Sequence, residues 1–258
     1  MPLTFGGAAP TVLITGSARR IGRAIAMDLA ANGWQVCVHY RRSGEEAQAL
    51  VEDIRRAGGA AAALSADLAV HEEVQSLVPR CADALGPPAC LINNASEFLL
   101  DTVATTKPET WDTHLDINLK APVFLAKSLY LALPDNVSGN VINIIDQRVW
   151  KLTPEFFSYT ISKAGLWTAT RTLAQALAPR VRVNAIGPGP VLKSVHQTDA
   201  DFSRETASTL LKKGPTPEEI AAAVRFILAS PSLTGQMIAL DGGQHLAWET
   251  PDVTGTVE

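Results

Sequence analysis

The stretch Val141-Ile-Asn-Ile-Ile145 restricts the fold open to this chain more than any other. A strand covered on one face alternates apolar and polar residues, whereas a nearly continuous apolar run describes a strand buried on both faces, as in a parallel sheet. Comparable runs rich in β-branched residues recur at positions 11–15, 34–39, 90–93 and 181–186, and the run itself extends over 140–145. Between them lie segments of helical period at 20–32, 45–57, 70–85, 109–133, 156–177 and 217–229. Strands that alternate with helices in this way become parallel neighbours through crossovers that cover both faces of the sheet. The expectation is an α/β fold with a single doubly wound parallel sheet over residues 1–258 and a loose tail at 246–258. The alanine-rich 60–63 reads as compositional bias.

Composition narrows the partners. With 47% hydrophobic and 19% charged residues in 258, the chain can bury a sizeable core. A net charge of -4 leaves no electrostatic footprint for nucleic acid. No apolar stretch is long enough to span a bilayer, and residues 1–7 lack the basic-then-apolar order of a leader. Cys37, Cys81 and Cys90 have no metal spacing and read as free thiols in a reducing compartment. Small-molecule partners, a cytoplasmic location and no metal are expected, with His196, Asp199 and Asp201 as solvated side chains.

Thr15-Gly-Ser-Ala-Arg-Arg-Ile-Gly22 joins the first strand to the first helix. Its bounding glycines let backbone approach a pyrophosphate, and the helix N-terminus offers free amides, so Gly16, Ile21 and Gly22 are candidate cofactor contacts. Arg20 stands where the usual fingerprint has its middle glycine. The second strand runs into Tyr40-Arg-Arg-Ser43 with no acidic residue to hold a free ribose 2′-hydroxyl. Arg41, Arg42, Arg19 and Ser43 suit a 2′-phosphate instead, which points to NADPH over NADH. Asp67, with Leu68 beside it at the end of the third strand, is a candidate adenine contact.

Tyr159 and Lys163 lie four positions apart in a helical segment and so share a face. An ammonium beside a phenol favours the phenolate, so the expectation is a tyrosine of lowered pKa acting as proton donor.

These pieces, in this order, make the chain resemble the short-chain dehydrogenase/reductase family from Pro10 to Leu246. The matching motifs are the glycine loop, Asn93-Asn-Ala95, Asn118, Tyr159 with Lys163, Val183-Asn-Ala-Ile-Gly-Pro-Gly189 and Asp241-Gly-Gly243. The resemblance implies a Rossmann-type NADP-binding domain. It implies that Asn94 and Ala95 line the cofactor, that Asn118 holds a proton-relay water, that Lys163 binds the nicotinamide ribose and that Tyr159 donates the proton. It places Pro188, Gly189 and Val191 around the nicotinamide and implies a homotetramer, with residues 245–248 near a neighbouring active site.

The departures from the family pattern form a set: Arg20, Ser96, Phe98, and Asp146 where carbonyl reductases carry serine, thirteen positions before Tyr159. The set resembles the pteridine reductases and bacterial dihydromonapterin reductases. A pterin is flat and nitrogen-rich: Phe98 can stack on it, while Ser96 and Arg20 can bond its amino-oxo edge, Arg20 also touching cofactor phosphate. A carboxyl at position 146 suits a ring nitrogen, whereas an anion there would repel a forming alkoxide. The expected activity is reduction of a dihydropterin, extending to dihydrofolate, at a C=N bond. A carbonyl reductase of ketones or acyl thioesters is the first rival, and an NADPH-sensing binding protein the second. Segments 147–157 and 191–204 should line the substrate side.

Overall fold

The computed structural model describes residues 9–250. Seven parallel strands form one sheet: β1 (Thr11–Ile14), β2 (Gln35–Tyr40), β3 (Ala61–Ser65), β4 (Pro88–Asn93), β5 (Gly139–Ile144), β6 (Val181–Pro188) and β7 (Met237–Leu240). Their order is β3-β2-β1-β4-β5-β6-β7. Successive residues of β1 serve opposite faces of the sheet. Val12 and Ile14 join the apolar layer under α1 (Arg20–Ala31), α2 (Gly44–Arg56) and α8 (Pro217–Leu228). Leu13 joins the layer under α3 (His71–Leu85), α5 (Ala121–Ala132) and α6 (Phe157–Leu177). The doubly wound sheet inferred from the apolar runs is therefore the one observed. The three cysteines are buried and unbridged.

Ala61–Ser65 is a true strand, paired along its length with Val36–Tyr40 of β2. Alanine is a poor strand former, but here backbone pairing and packing decide. The helix expected over 109–133 is interrupted: α4 (Pro108–Leu115) passes through a wide π-turn, Asp116–Lys120, before α5. Pro122 has no N–H to give the carbonyl of Asn118, four residues back, which accounts for the local loss of α-helical bonding. A further helix, α7 (Asp199–Ser208), begins within the 191–204 segment, to which no helical period is assigned. Its start is marked by Thr198 and Asp201, whose side chains and amides cap each other reciprocally. The expected loose tail falls outside the described residues from position 251 on; before that, Leu246 and Trp248 are exposed. Among the described residues no helix is long and apolar enough to cross a membrane.

Strand order reverses between β1 and β4, so the loops leaving them diverge and open a crevice at the carboxyl ends of the strands. His39, buried near the end of β2, ties the loop after β1 to the end of β3. Its Nδ1 accepts from the Gly16 amide at 3.0 Å and its Nε2 lies 3.0 Å from the Ala66 carbonyl, which fixes a neutral ring with the proton on Nε2. Burial lowers its pKa from 6.5 to about 4, only partly offset by the Ala66 carbonyl. An unfolded His39 therefore binds more protons than the folded one between pH 6.5 and about 4, and stability contributed by the neutral ring is lost as pH falls through that window. The expected loss is roughly 3 kcal/mol when the window has been crossed. Urea unfolding of the wild type and His39→Gln across this range checks it: the wild type should show the steeper fall, and parallel curves would remove His39 from the account.

Candidate active site

Side chains take over where the strands end and their backbone groups lose ladder partners. Thr15 Oγ1 accepts from the amides of Asn94 and Ala95 at 2.9 and 3.0 Å, and the Asn94 side-chain amide donates to the carbonyls of Thr15 and Gly16. The glycine loop is thus laced to the turn after β4. A Cβ on Gly22 would lie 2.6 Å from Asn94 Nδ2 and 2.7 Å from the Gly16 oxygen, so only glycine fits. α1 has neither a side-chain cap nor an acidic residue in its first turn, which leaves its leading amides available to an anion.

A cleft of about 560 Å³ follows this loop, walled by Gly16, Arg19, Arg20, Ile21, Gly22, Tyr40, Arg41, Arg42, Ser43, Asn94, Ala95 and Ser96. Its length of exposed amides and its arginine end fit a phosphorylated dinucleotide. Arg41 pairs with Glu97 at 2.8 Å and Arg19 with Glu46 at 3.3 Å. These half-exposed pairs are weak and exchangeable for a phosphate. Arg42 has no ion pair among the described residues. Asp67 and Leu68 do not border the cleft: Asp67 Oδ1 accepts from the Ala69 amide in a local turn, and Leu68 is buried in the core.

A second cleft of about 500 Å³ adjoins the first, and Arg20, Ile21, Asn94 and Ser96 belong to both. Its floor carries Asp146, Tyr159 and Lys163, with Pro188, Gly189 and Val191 on one side and Phe98 on another. Asp146 Oδ1 accepts from the Arg148 amide at 2.8 Å, while Oδ2 accepts from the Tyr159 hydroxyl at 2.9 Å. The same carboxylate caps a short turn and faces the cleft. Burial raises the pKa of Asp146 against the pull of Arg148 and Tyr159. Burial and the neighbouring carboxylate push Tyr159 well above its ordinary range.

That outcome reverses the expectation for Tyr159. Lys163 Nζ donates to the Ile144 carbonyl at 3.0 Å and sits 5.7 Å from the phenol ring centre, so it does not hold a phenolate. Burial lowers the lysine itself to about 8, with Asp146 opposing. Asn118 Oδ1 accepts from Ser96 Oγ and the Glu97 amide, and its Nδ2 donates to the Glu97 carbonyl and Ser162 Oγ. With its side-chain amide fully engaged, Asn118 braces the turn bearing Ser96. Arg20 gives both terminal nitrogens to the loop, at 3.0 Å from the carbonyls of Lys193 and Leu192.

Segments 147–157 and 191–204 both line the second cleft, through Arg148, Glu155 and Phe156 and through Leu192, Ser194, His196 and Gln197. Phe156 stacks on Phe98 at 4.1 Å, and Phe98 meets the Tyr159 ring edge-on at 4.7 Å. His196 reaches the Phe98 carbonyl at 3.0 Å, so it belongs to the wall, whereas Asp199 pairs with Lys193 and Asp201 caps α7. The aromatic pair Phe156-Phe157 beside Tyr159 was the available sequence signal for this wall. No cluster of metal-ligating side chains occurs among the described residues.

Residues 16–245 match the family model described as enoyl-(acyl carrier protein) reductase. A 3-oxoacyl-[acyl-carrier-protein] reductase of Synechocystis is 33% identical over 243 residues, covering 91% of this chain and 96% of that protein. The FolM alternative dihydrofolate reductase 1 of Brucella suis, solved in complex with NADP, is 52% identical with a TM-score of 0.93, over 95% of this chain and 98% of that one. Its Brucella canis counterpart, also with NADP, is 51% identical with a TM-score of 0.90 over the same shares. With the motifs in their order and the match running nearly end to end, the chain belongs to the short-chain dehydrogenase/reductase family.

Proposed function

We propose that this protein is an NADPH-dependent reductase of dihydropterins, with dihydrofolate in the same substrate class, acting at a C=N bond. The observation that carries the reading is the Asp146 carboxyl hydrogen-bonded to Tyr159 on the cleft floor. The 52% identity to a FolM alternative dihydrofolate reductase supports it, as does the NADP bound in that structure.

In this reading the backbone of Gly16, Ile21 and Gly22 holds the pyrophosphate, and Arg19, Arg41, Arg42 and Ser43 hold the 2′-phosphate. Lys163 and the 188–191 backbone orient the nicotinamide end. Reduced nicotinamide supplies the hydride when bound. The chain's own residues supply the proton and the alignment. Burial raises both Asp146 and Tyr159, which favours their protonated forms, so the pair can offer a proton to a ring nitrogen. Phe98 and Phe156 offer apolar faces to a flat ring, and Ser96 and Arg148 border its edges.

The second reading, a 3-oxoacyl thioester reductase, draws on the 33% relatives. It conflicts with a carboxyl placed where the forming alkoxide would need a neutral donor.

Asp146→Ser separates the two. Dihydropterin turnover should fall by about 10²- to 10⁴-fold with NADPH affinity nearly unchanged, as followed by NADPH oxidation with dihydrobiopterin, dihydromonapterin and dihydrofolate. Undiminished pterin turnover, or a wild type that reduces acetoacetyl thioesters alone, would favour the second reading. Replacing Arg41 and Arg42 together with alanine should raise KM for NADPH on the order of tenfold or more while barely moving that for NADH. Equal changes for the two cofactors would mean the arginines do not read the 2′-phosphate.

A further inference from the structure

Three polar residues that no motif marks out are buried together behind the second cleft: Asp101 at 2%, His114 at 0% and Ser158 at 0% exposure. None of them borders a cleft. Burying such groups is costly unless every donor and acceptor is matched, and here they are matched in one direction only. Ser158 Oγ donates to Asp101 Oδ2 at 2.5 Å, and the Ser158 amide also donates to that carboxylate. The single hydroxyl proton is therefore committed to Asp101, and the 2.7 Å contact between Ser158 Oγ and His114 Nδ1 must use a proton carried by the ring. On the other side the Leu99 amide donates to His114 Nε2 at 3.1 Å, which leaves that nitrogen no proton. The chain of donors runs from Leu99 N–H through the neutral imidazole and the Ser158 hydroxyl to the Asp101 carboxylate. Burial favours that neutral form of His114.

The ends of this chain decide its use. Leu99 follows Phe98, and Ser158 precedes Tyr159. The Asp101 carbonyl also accepts from the Phe157 amide at 3.2 Å, at the point where Phe156 takes a left-handed conformation with φ of 53° and stacks on Phe98. The imidazole itself lies edge-on to the Tyr159 ring at 5.9 Å. Loop 94–101 is otherwise held at its start, through Thr15, Asn94 and Asn118, and by His196 at the Phe98 carbonyl, and the buried trio holds its far end.

We propose that His114, with Ser158 and Asp101, is a positioning residue that holds Phe98 in edge-on contact with Tyr159, and so fixes the aromatic wall that a planar substrate ring meets in the second cleft. The identity of that ring rests on the pterin reading above; the positioning itself does not. Removing the imidazole leaves the Leu99 N–H without its acceptor and Ser158 without its donor, and loosens Phe98 on its Leu99 side. Glutamine can restore both bonds, since a side-chain amide carries a donor and an acceptor side by side as the imidazole does.

The test compares wild type, His114→Ala and His114→Gln, each saturated with NADPH, by titration with a diaminopteridine antifolate and by steady-state kinetics with dihydropterins. His114→Ala should weaken antifolate binding and raise the dihydropterin KM by about tenfold, with a smaller change in kcat and an unchanged NADPH Kd. His114→Gln should recover most of the loss. Unchanged antifolate affinity in a folded, NADPH-binding His114→Ala protein would overturn the proposal, as would a loss that glutamine fails to restore. Should His114→Ala not fold, Ser158→Ala cuts the same chain and carries the same expectation. A wild type that ignores pterins and antifolates alike would defeat the substrate reading alone. Hydrogen exchange of the 94–101 backbone then decides the positioning: it should be faster in His114→Ala and restored in His114→Gln, and equal rates in all three would end the idea.

Discussion

Everything in the cleft depends on how the chain satisfies backbone groups at the point where strand order reverses. Between β1 and β4 the two leaving loops turn apart, so neither can complete the other's hydrogen bonds as a ladder would. Short side chains do it instead. Thr15 takes two amides from the turn after β4, Asn94 returns two donors to the glycine loop, and His39 takes the Gly16 amide from the neighbouring strand. Deeper in the sheet Asn93 bonds Asn143, which in turn bonds Thr170 on α6. Each partner is too short to adjust by much, so the loop geometry that a pyrophosphate needs is held before any ligand arrives.

The electrostatics of the cleft floor follow from the same economy of space. Asp146 and Tyr159 are close enough to share a proton, and the buried lysine beside them has turned its ammonium to a backbone carbonyl. A lysine can lower a phenol's pKa only if it faces the oxygen more closely than a carboxylate does. Here the carboxylate is at hydrogen-bond distance and the lysine is not, so the anion wins and the phenol stays protonated. A serine at 146 would leave the phenol and lysine to set the proton balance, which is the arrangement suited to an alkoxide product. The single carboxylate changes both the contact made to substrate and the acidity of its neighbour.

Much of this could be read from sequence because the informative residues are those whose chemistry has few substitutes. Glycines at 16 and 22 answer to close backbone approach, Tyr159 and Lys163 to helical spacing, and Val141–Ile145 to burial on both faces. The misses have a common cause: they concern partners distant in sequence. Nothing local tells that Ala61–Ser65 will pair with β2, since the pairing is made by the backbone and by the layer beneath. Nothing near Asn118 tells that its amide will be consumed by Glu97 and Ser162. Asp101, His114 and Ser158 are scattered along the chain and form one network only after folding. Two misses did have local signals, the Thr198–Asp201 capping pair that begins α7 and Pro122, which opens the π-turn.

Arg20 links the two clefts. It occupies the middle glycine's place in the loop and adopts the backbone conformation a glycine would, with φ of 55°. A left-handed residue with a side chain persists only where the surroundings hold it there. The holding contacts are visible: the guanidinium reaches across to the carbonyls of Leu192 and Lys193, which belong to the segment walling the second cleft. The strained glycine loop is thus tied to the 191–197 wall of the second cleft, and the two clefts share this link. A glycine at this position would relieve the strain and leave the 191–197 segment without its cross-link, so the arginine couples the two clefts.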